Sequence, residues 1–164
     1  MHASLPDANT LIARLAEAIA PAIAPDTVIV GIHTGGVWVA ERLHALLKCT
    51  QPLGTLDISF YRDDFSRIGL HPQVKPSNLP FDLENRDILL VDDVLHSGRT
   101  VRAAMNELFD YGRPASIRLA VLVDRDDHEL PIRPDFAGLR IAVPDNQNIN
   151  LSRLDDGHLT LSLA

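Results

Sequence analysis

Ile88-Leu89-Leu90-Val91-Asp92-Asp93-Val94-Leu95-His96-Ser97-Gly98-Arg99-Thr100 changes character twice along its length. With Asp87 before it, the run up to Asp93 is almost continuously apolar and closes on two carboxylates, the pattern of a strand covered on both faces at the centre of a parallel sheet. Residues 94–100 are small and polar and lead into a helical pattern, Val101, Ala104, Met105 and Leu108, that should stop at Gly112 before Pro114. A loop between a strand and a helix aims free backbone N–H groups from the helix N-terminus at one spot, and the Ser97 and Thr100 hydroxyls add donors there. This composition suits a phosphate. It is not a G-x-x-x-x-G-K-[ST] loop, which argues against a P-loop nucleotidase. Neighbouring strand residues point to opposite faces, so Asp92 and Asp93 diverge at the strand tip, placed to hydrogen-bond the vicinal hydroxyls of a ribose whose phosphate lies in the loop.

The same strand-turn-helix unit recurs at residues 28–32 (VIVGI), followed by His33-Thr34-Gly35-Gly36 and apolar positions Val37, Ala40, Leu43, Leu46 and Leu47. Residues 53–60 (LGTLDISF) and 116–123 (SIRLAVLV) read as further strands. Asp7 is placed to cap a helix carrying Leu11, Ile12, Leu15 and Ile19, stopped by Pro21 and Pro25. Beyond residue 124 a polar loop precedes a short strand near 138–143 and a last one at 159–163. Strands alternating with helices imply right-handed crossovers, a parallel sheet and ligands beyond the carboxyl ends of the strands. Four features then meet at one edge: Thr34-Gly35-Gly36, Asp92-Asp93, the loop 94–100 and Asp124-Arg125. Residues 61–86, holding Arg62-Asp63-Asp64, Arg67 and three prolines, form a loop long enough to expect a function of it.

The 164 residues suffice for one domain at about 100–200 residues each. The single cysteine, Cys49, forms no internal disulfide and points to a reducing cytoplasm. No apolar run approaches the roughly 20 residues of a membrane span, and no basic segment opens a signal peptide. Fifteen Lys and Arg against 22 Asp and Glu leave a net charge of -7, which disfavours nucleic acid as a partner selected by charge alone. Only Lys48 and Lys75 are lysines; the other cations are arginines, suited to forked contacts with carboxylate or phosphate.

ILLVDDVLHSGRT at 88–100 resembles the phosphoribosyl diphosphate (PRPP) signature of type I phosphoribosyltransferases. Phe60-Tyr61-Arg62-Asp63-Asp64, Gly31-Ile32-His33-Thr34-Gly35-Gly36, Thr100-Val101-Arg102-Ala103-Ala104-Met105, Gly112-Arg113-Pro114 and LAVLVDRDDHELPIR at 119–133 are similar, in order, to the bacterial pyrimidine operon regulators that are also uracil phosphoribosyltransferases. The resemblance implies an α/β fold: an open, mainly parallel sheet with flanking helices and a small hood, built from about residue 124 onward with the N-terminal segment. It implies a Mg²⁺-dependent transferase of pyrimidine salvage that makes UMP and pyrophosphate from uracil and PRPP, and a role in transcription regulation. Carried over by position, residues 88–100 bind PRPP: Asp92 and Asp93 hold its ribose hydroxyls, directly or through Mg²⁺, and His96 to Thr100 wrap the 5′-phosphate. Thr34, Gly35 and Gly36 receive the pyrophosphate, Arg62 lies in a catalytic loop, and the backbone around Val123, Asp124 and Arg125 lies beside the base. A homo-oligomer, a dimer or a multiple of one, is implied as well.

The departures are local. Relatives place a basic residue at the position of Gly35 and often a tyrosine at that of His96. Relatives that bind leader RNA use a basic surface, whereas the first helix here carries only Arg14 and the turn after Arg125 reads Asp126-Asp127-His128. Carboxylates at that rim repel phosphates, so charge disfavours leader-RNA binding and weak binding is expected. A PRPP- or UMP-binding regulator with weak catalysis is the competing expectation.

Overall fold

The central strand lies where its composition places it. In the computed structural model, which describes residues 4–58 and 77–164, β3 (Asp87–Leu95) pairs in parallel with β1 (Val28–Ile32) on one side and β4 (Ser116–Asp124) on the other. β2 (Gly54–Leu56) and β5 (Phe136–Arg140) close the edges, giving the order β2-β1-β3-β4-β5. Alternate residues of β3 serve two cores. Leu89 and Val91 pack with α1 (Ala8–Ile19) and α2 (Gly35–Leu46), while Ile88 and Leu90 pack with α3 (Arg99–Tyr111). All four are at most 1% exposed, and burying each such side chain contributes about 1.5–3 kcal/mol. This two-sided burial is why the strand reads as an apolar run without alternation.

Local signals set the helix ends. The Asp7 carboxylate accepts the Thr10 N–H at 3.0 Å, capping α1. Gly112 follows α3 in an extended conformation, φ 163°. An antiparallel hairpin, β6 (Ile149–Arg153) with β7 (Leu159–Leu163), forms the hood, and Ile149 and Leu159 enter the α1/α2 core. Arg42 of α2 fastens its turn by donating to the Gly157 carbonyl at 2.6 Å, and Arg153 lies 5.0 Å from the Trp38 ring centroid.

Several boundaries differ from expectation. The strand expected at 53–60 is the three-residue β2, with residues 57 and 58 described beyond it as irregular chain. The strand expected at 138–143 is β5 at 136–140, and β6 was not anticipated. The polar loop expected at 94–100 shrinks to 96–98, because Val94 and Leu95 continue β3 and Arg99 opens α3. Of the loop expected at 61–86, residues 77–86 are a fixed return path. Asn78 exchanges two 2.8 Å backbone bonds with Thr55, and Leu83 is buried. Arg62, Arg67 and the rest of that loop lie outside the described residues. Among the described residues no helix is long and apolar enough to cross a membrane.

Candidate active site

Two helix N-termini flank the tip of β3 at the carboxyl edge of the sheet. α2 begins at Gly35 directly after β1, with Thr34 as its cap residue; the His33–Thr34 peptide is cis, and the His33 N–H donates to the Leu56 carbonyl at 2.9 Å. The two glycines let this helix end sit flush against the strand. A Cβ on Gly36 would fall 2.7 Å from the Val91 carbonyl oxygen, and one on Gly35 would fall 2.1 Å from Asp93 Oδ2. The carboxylate therefore occupies the volume a side chain at position 35 would need. A basic residue there, as relatives have, requires Asp93 to move.

The two carboxylates are held by their own backbone. Asp92 Oδ1 accepts the Asp93 N–H at 2.9 Å and Asp93 Oδ1 accepts the Val94 N–H at 2.8 Å. Asp92 faces a hollow of about 60 Å³ whose other polar walls are His96, Ser97 and Thr100, ahead of α3. Gly98 turns the chain there at φ 98°, a conformation that favours glycine. Ser97 Oγ accepts the Arg99 N–H at 3.2 Å. Residues 88–91, expected to bind PRPP, have side chains buried in the two cores; they position the carboxylates and present no side chain to a ligand.

The residues expected beside the base are also buried. Val123, Asp124 and Arg125 are at most 2% exposed, and their side chains are spent within the protein. Arg125 donates to the carbonyls of Gln147 at 3.1 Å and Val143 at 3.4 Å and meets Asp127 Oδ2 at 3.4 Å. The backbone N–H of Arg125 donates to the Leu95 carbonyl at 3.0 Å, and the Asp124 carbonyl accepts from Ile141 at 3.0 Å. Arg125 Nε and Asp127 Oδ1 are buried without a hydrogen-bond partner among the described residues.

Sequence reading missed the contacts that join the two halves of the site. Ser97 accepts two backbone N–H groups, from Glu129 and Leu130, both at 3.0 Å. His96 Nε2 lies 3.2 Å from Asp127 Oδ2, and Arg99 Nη2 lies 3.1 Å from Glu129 Oε2. The last pair is well exposed, so it contributes at most about 1 kcal/mol. The backbone pair sets the geometry, and a Cβ at position 98 would meet Leu130 and Ile132 at 3.4 Å. Partners some thirty residues apart leave no local pattern to read.

Asp124, Asp126 and His128 offer ligand atoms within 4.8 Å of one another. This trio is a hydrogen-bond network. His128 Nε2 lies 2.6 Å from Asp124 Oδ1, and its Nδ1 meets Arg133. Asp92 and Asp93 are the oxygen donors that suit Mg²⁺.

The family model of the phosphoribosyl transferase domain matches residues 2–152. The chain belongs to the phosphoribosyltransferase family. Within it, this phosphoribosyltransferase groups with the bifunctional PyrR proteins. It is 54% identical to the Bifunctional protein PyrR of Pseudomonas savastanoi pv. phaseolicola over 153 residues, 91% of this chain and 90% of that one. To the protein of the same name in Pseudomonas paraeruginosa it is 53% identical, covering 90% and 89%. A hypoxanthine-guanine phosphoribosyltransferase from Bacillus anthracis superposes with a TM-score of 0.68 at 17% identity, covering 88% of this phosphoribosyltransferase and 85% of that chain. A purine phosphoribosyltransferase from Pyrococcus horikoshii gives 0.63 at 27% identity, covering 83% and 85%. The expected type I phosphoribosyltransferase sheet is the one observed.

Proposed function

We propose that this protein transfers the phosphoribosyl group of PRPP to uracil. The C1′–O bond to pyrophosphate breaks, a bond from uracil N1 to C1′ forms, and the N1 proton is released. The observation that carries the reading is the placement of two diverging carboxylates between two helix N-termini. PRPP has a phosphate group at each end and two vicinal hydroxyls between them, and the site has a helix N-terminus on either side of a carboxylate pair.

The chain's part in the reaction is to bind, orient and shield. The N–H groups at the start of α2, around Gly35 and Gly36, face the pyrophosphate, and the hollow at 96–100 takes the 5′-phosphate. Asp92 and Asp93 accept hydrogen bonds from the ribose hydroxyls and hold the sugar while positive character develops at C1′. No protein nucleophile is required. Asp92 and Asp93 are the residues that would hold Mg²⁺ together with PRPP, and the ion would supply charge neutralisation for the leaving pyrophosphate. Because the base-side side chains are internally paired, uracil recognition falls to backbone beyond β4. Arg62 is the catalytic-loop cation of this reading.

The expected result is UMP, identified by mass spectrometry, from uracil and PRPP with Mg²⁺, falling at least about 100-fold when a chelator removes the ion. Adenine, guanine and orotate should substitute poorly. No UMP above the buffer control from folded protein with excess Mg²⁺ overturns the reading. It would favour a PRPP- or UMP-binding regulator with weak catalysis, the reading supported by Gly35, which leaves the pyrophosphate loop without its own cation.

The second proposed activity is regulation of pyrimidine genes in response to UMP, in the cytoplasm and as a homo-oligomer. Arginines near the base-side rim already face carboxylates: Arg99 meets Glu129, Arg125 meets Asp127, and Arg140 lies 3.7 Å from Asp124. Among the described residues these pairings reduce the positive charge available there to a phosphate backbone. In filter binding with the transcript upstream of its gene cluster, the protein should bind weakly at physiological salt. Tight, UMP-enhanced, sequence-dependent binding, with a slope in log salt near -0.7 for each neutralised phosphate, would refute this.

A further inference from the structure

Glu107 is half-buried in α3, about two turns past the phosphate hollow, on the face toward β2. It lies outside the site described above. Its Oε1 accepts the Ser77 hydroxyl at 2.7 Å, and the same Ser77 oxygen accepts the Asp57 N–H at 3.1 Å. Asp57, 8% exposed, directly follows β2, and the preceding carbonyl, that of Leu56, accepts the His33 N–H at the start of the pyrophosphate loop. Glu107 Oε2 is buried with no hydrogen-bond partner among the described residues.

We propose that Glu107 is a proton-dependent positioning residue for the pyrophosphate loop, acting through Ser77 and the end of β2. The connection is short: one side-chain hydrogen bond from α3 to Ser77, one from Ser77 to the Asp57 backbone, and one ladder-like bond from Leu56 to His33. Each partner is fixed from a second direction. Asn78, next to Ser77, is locked to Thr55 by the paired backbone bonds, and Leu56 is fully buried. A displacement at Ser77 therefore passes into the chain at 57 and not into slack.

The proton matters because of where the carboxyl sits. Burial pushes the Glu107 carboxyl above the usual carboxylate range; the Ser77 hydroxyl opposes this, and the charges of Asp57 just after β2 and Asp110 on α3 add to the rise. These two are the charged groups facing it among the described residues. A raised folded-state value means that the neutral form is the one the fold favours. Its stabilising contribution is complete below the ordinary glutamate pKa and is lost as pH climbs through the raised one. Above that point a buried charge with one unbonded oxygen faces Asp57, and the end of β2 is pushed away from α3.

Two variants and two measurements test this. Glu107→Gln keeps the Oε1 acceptor and removes the proton; Ser77→Ala keeps the proton and removes the link. In wild-type protein without ligand, the Asp57 and His33 amide resonances should share one inflection, displaced upward from the ordinary glutamate range. That inflection should vanish in both variants. Because His33 and Asp57 each carry a titrating side chain of their own, the deciding observation is the part of the shared inflection that Glu107→Gln removes. In turnover, KM for PRPP should differ about fivefold between the two sides of this inflection in wild type and stay flat in Glu107→Gln, with kcat moving less. The kinetic arm rests on the transferase reading, and the resonance arm does not. Asp57 and His33 titration curves that are the same in wild type and Glu107→Gln overturn the proposal. The full resonance pattern without any UMP formation supports the proposal and overturns the transferase reading instead.

Discussion

Asp92→Asn and Asp93→Asn should each lower kcat/KM for PRPP by roughly 10- to 150-fold, the equivalent of about 1.5–3 kcal/mol for a lost hydrogen bond to a charged group. Folding should survive, because Asn keeps the Oδ1 acceptor that takes the Asp93 N–H in one case and the Val94 N–H in the other. Steady-state kinetics with PRPP as the varied substrate, next to thermal melts of both variants, is the measurement. Kinetics unchanged in both would mean that the pair is only a solvated turn at a strand tip. The penalty should fall on KM for PRPP more than on KM for uracil, since neither residue lies on the base side.

Gly36→Ala should be damaging for a different reason. Its Cβ would fall 2.7 Å from the Val91 carbonyl oxygen and 3.0 Å from Asp92 Cα, both backbone atoms of the central strand. Neither can yield without α2 lifting from β3, and overpacking of this kind costs about 1–3 kcal/mol. Denaturant unfolding should show a lower midpoint at unchanged slope, and PRPP use should fall because the helix N-terminus moves with the lift. Gly35→Ala offers the contrast. Its Cβ meets the Asp93 side chain and no backbone atom of the strand, so stability should change less than in Gly36→Ala while activity drops as the carboxylate is displaced. Equal stability losses in the two variants would show that the glycine turn as a whole, not the close approach at position 36, limits packing.

How far the fold could be read depended on whether each element's reasons were local. β3 was legible because burial on both faces leaves an uninterrupted apolar run, and α1 because Asp7 and the prolines bracket its apolar stripe. β5 was misplaced because Gly138 suggested a strand start, whereas in the structure it lies mid-strand; a Cβ there would be 2.7 Å from the Leu122 carbonyl. β6 was missed because INLSR places only Ile149 and Leu151 toward the core and reads as polar chain. At the site, the carboxylate pair and the glycine turn could be found because each is a local exception to its surroundings. The roles of Asp127 and Glu129 could not, since their partners His96 and Arg99 lie about thirty residues upstream and meet them only once β3 and β4 are side by side.

The double acceptance by Ser97, with the N–H groups of Glu129 and Leu130 both reaching one carbonyl, sets a rule for anyone re-engineering this scaffold. A base-side turn grafted from another transferase into the stretch after β4 would bring its own backbone path and leave that carbonyl without its donors, loosening the phosphate end while the change was aimed at the base. The exchangeable module is therefore bipartite: the 126–130 turn has to travel together with residues 96–99, or a library built on the turn alone will select for phosphate affinity as much as for a new nucleobase.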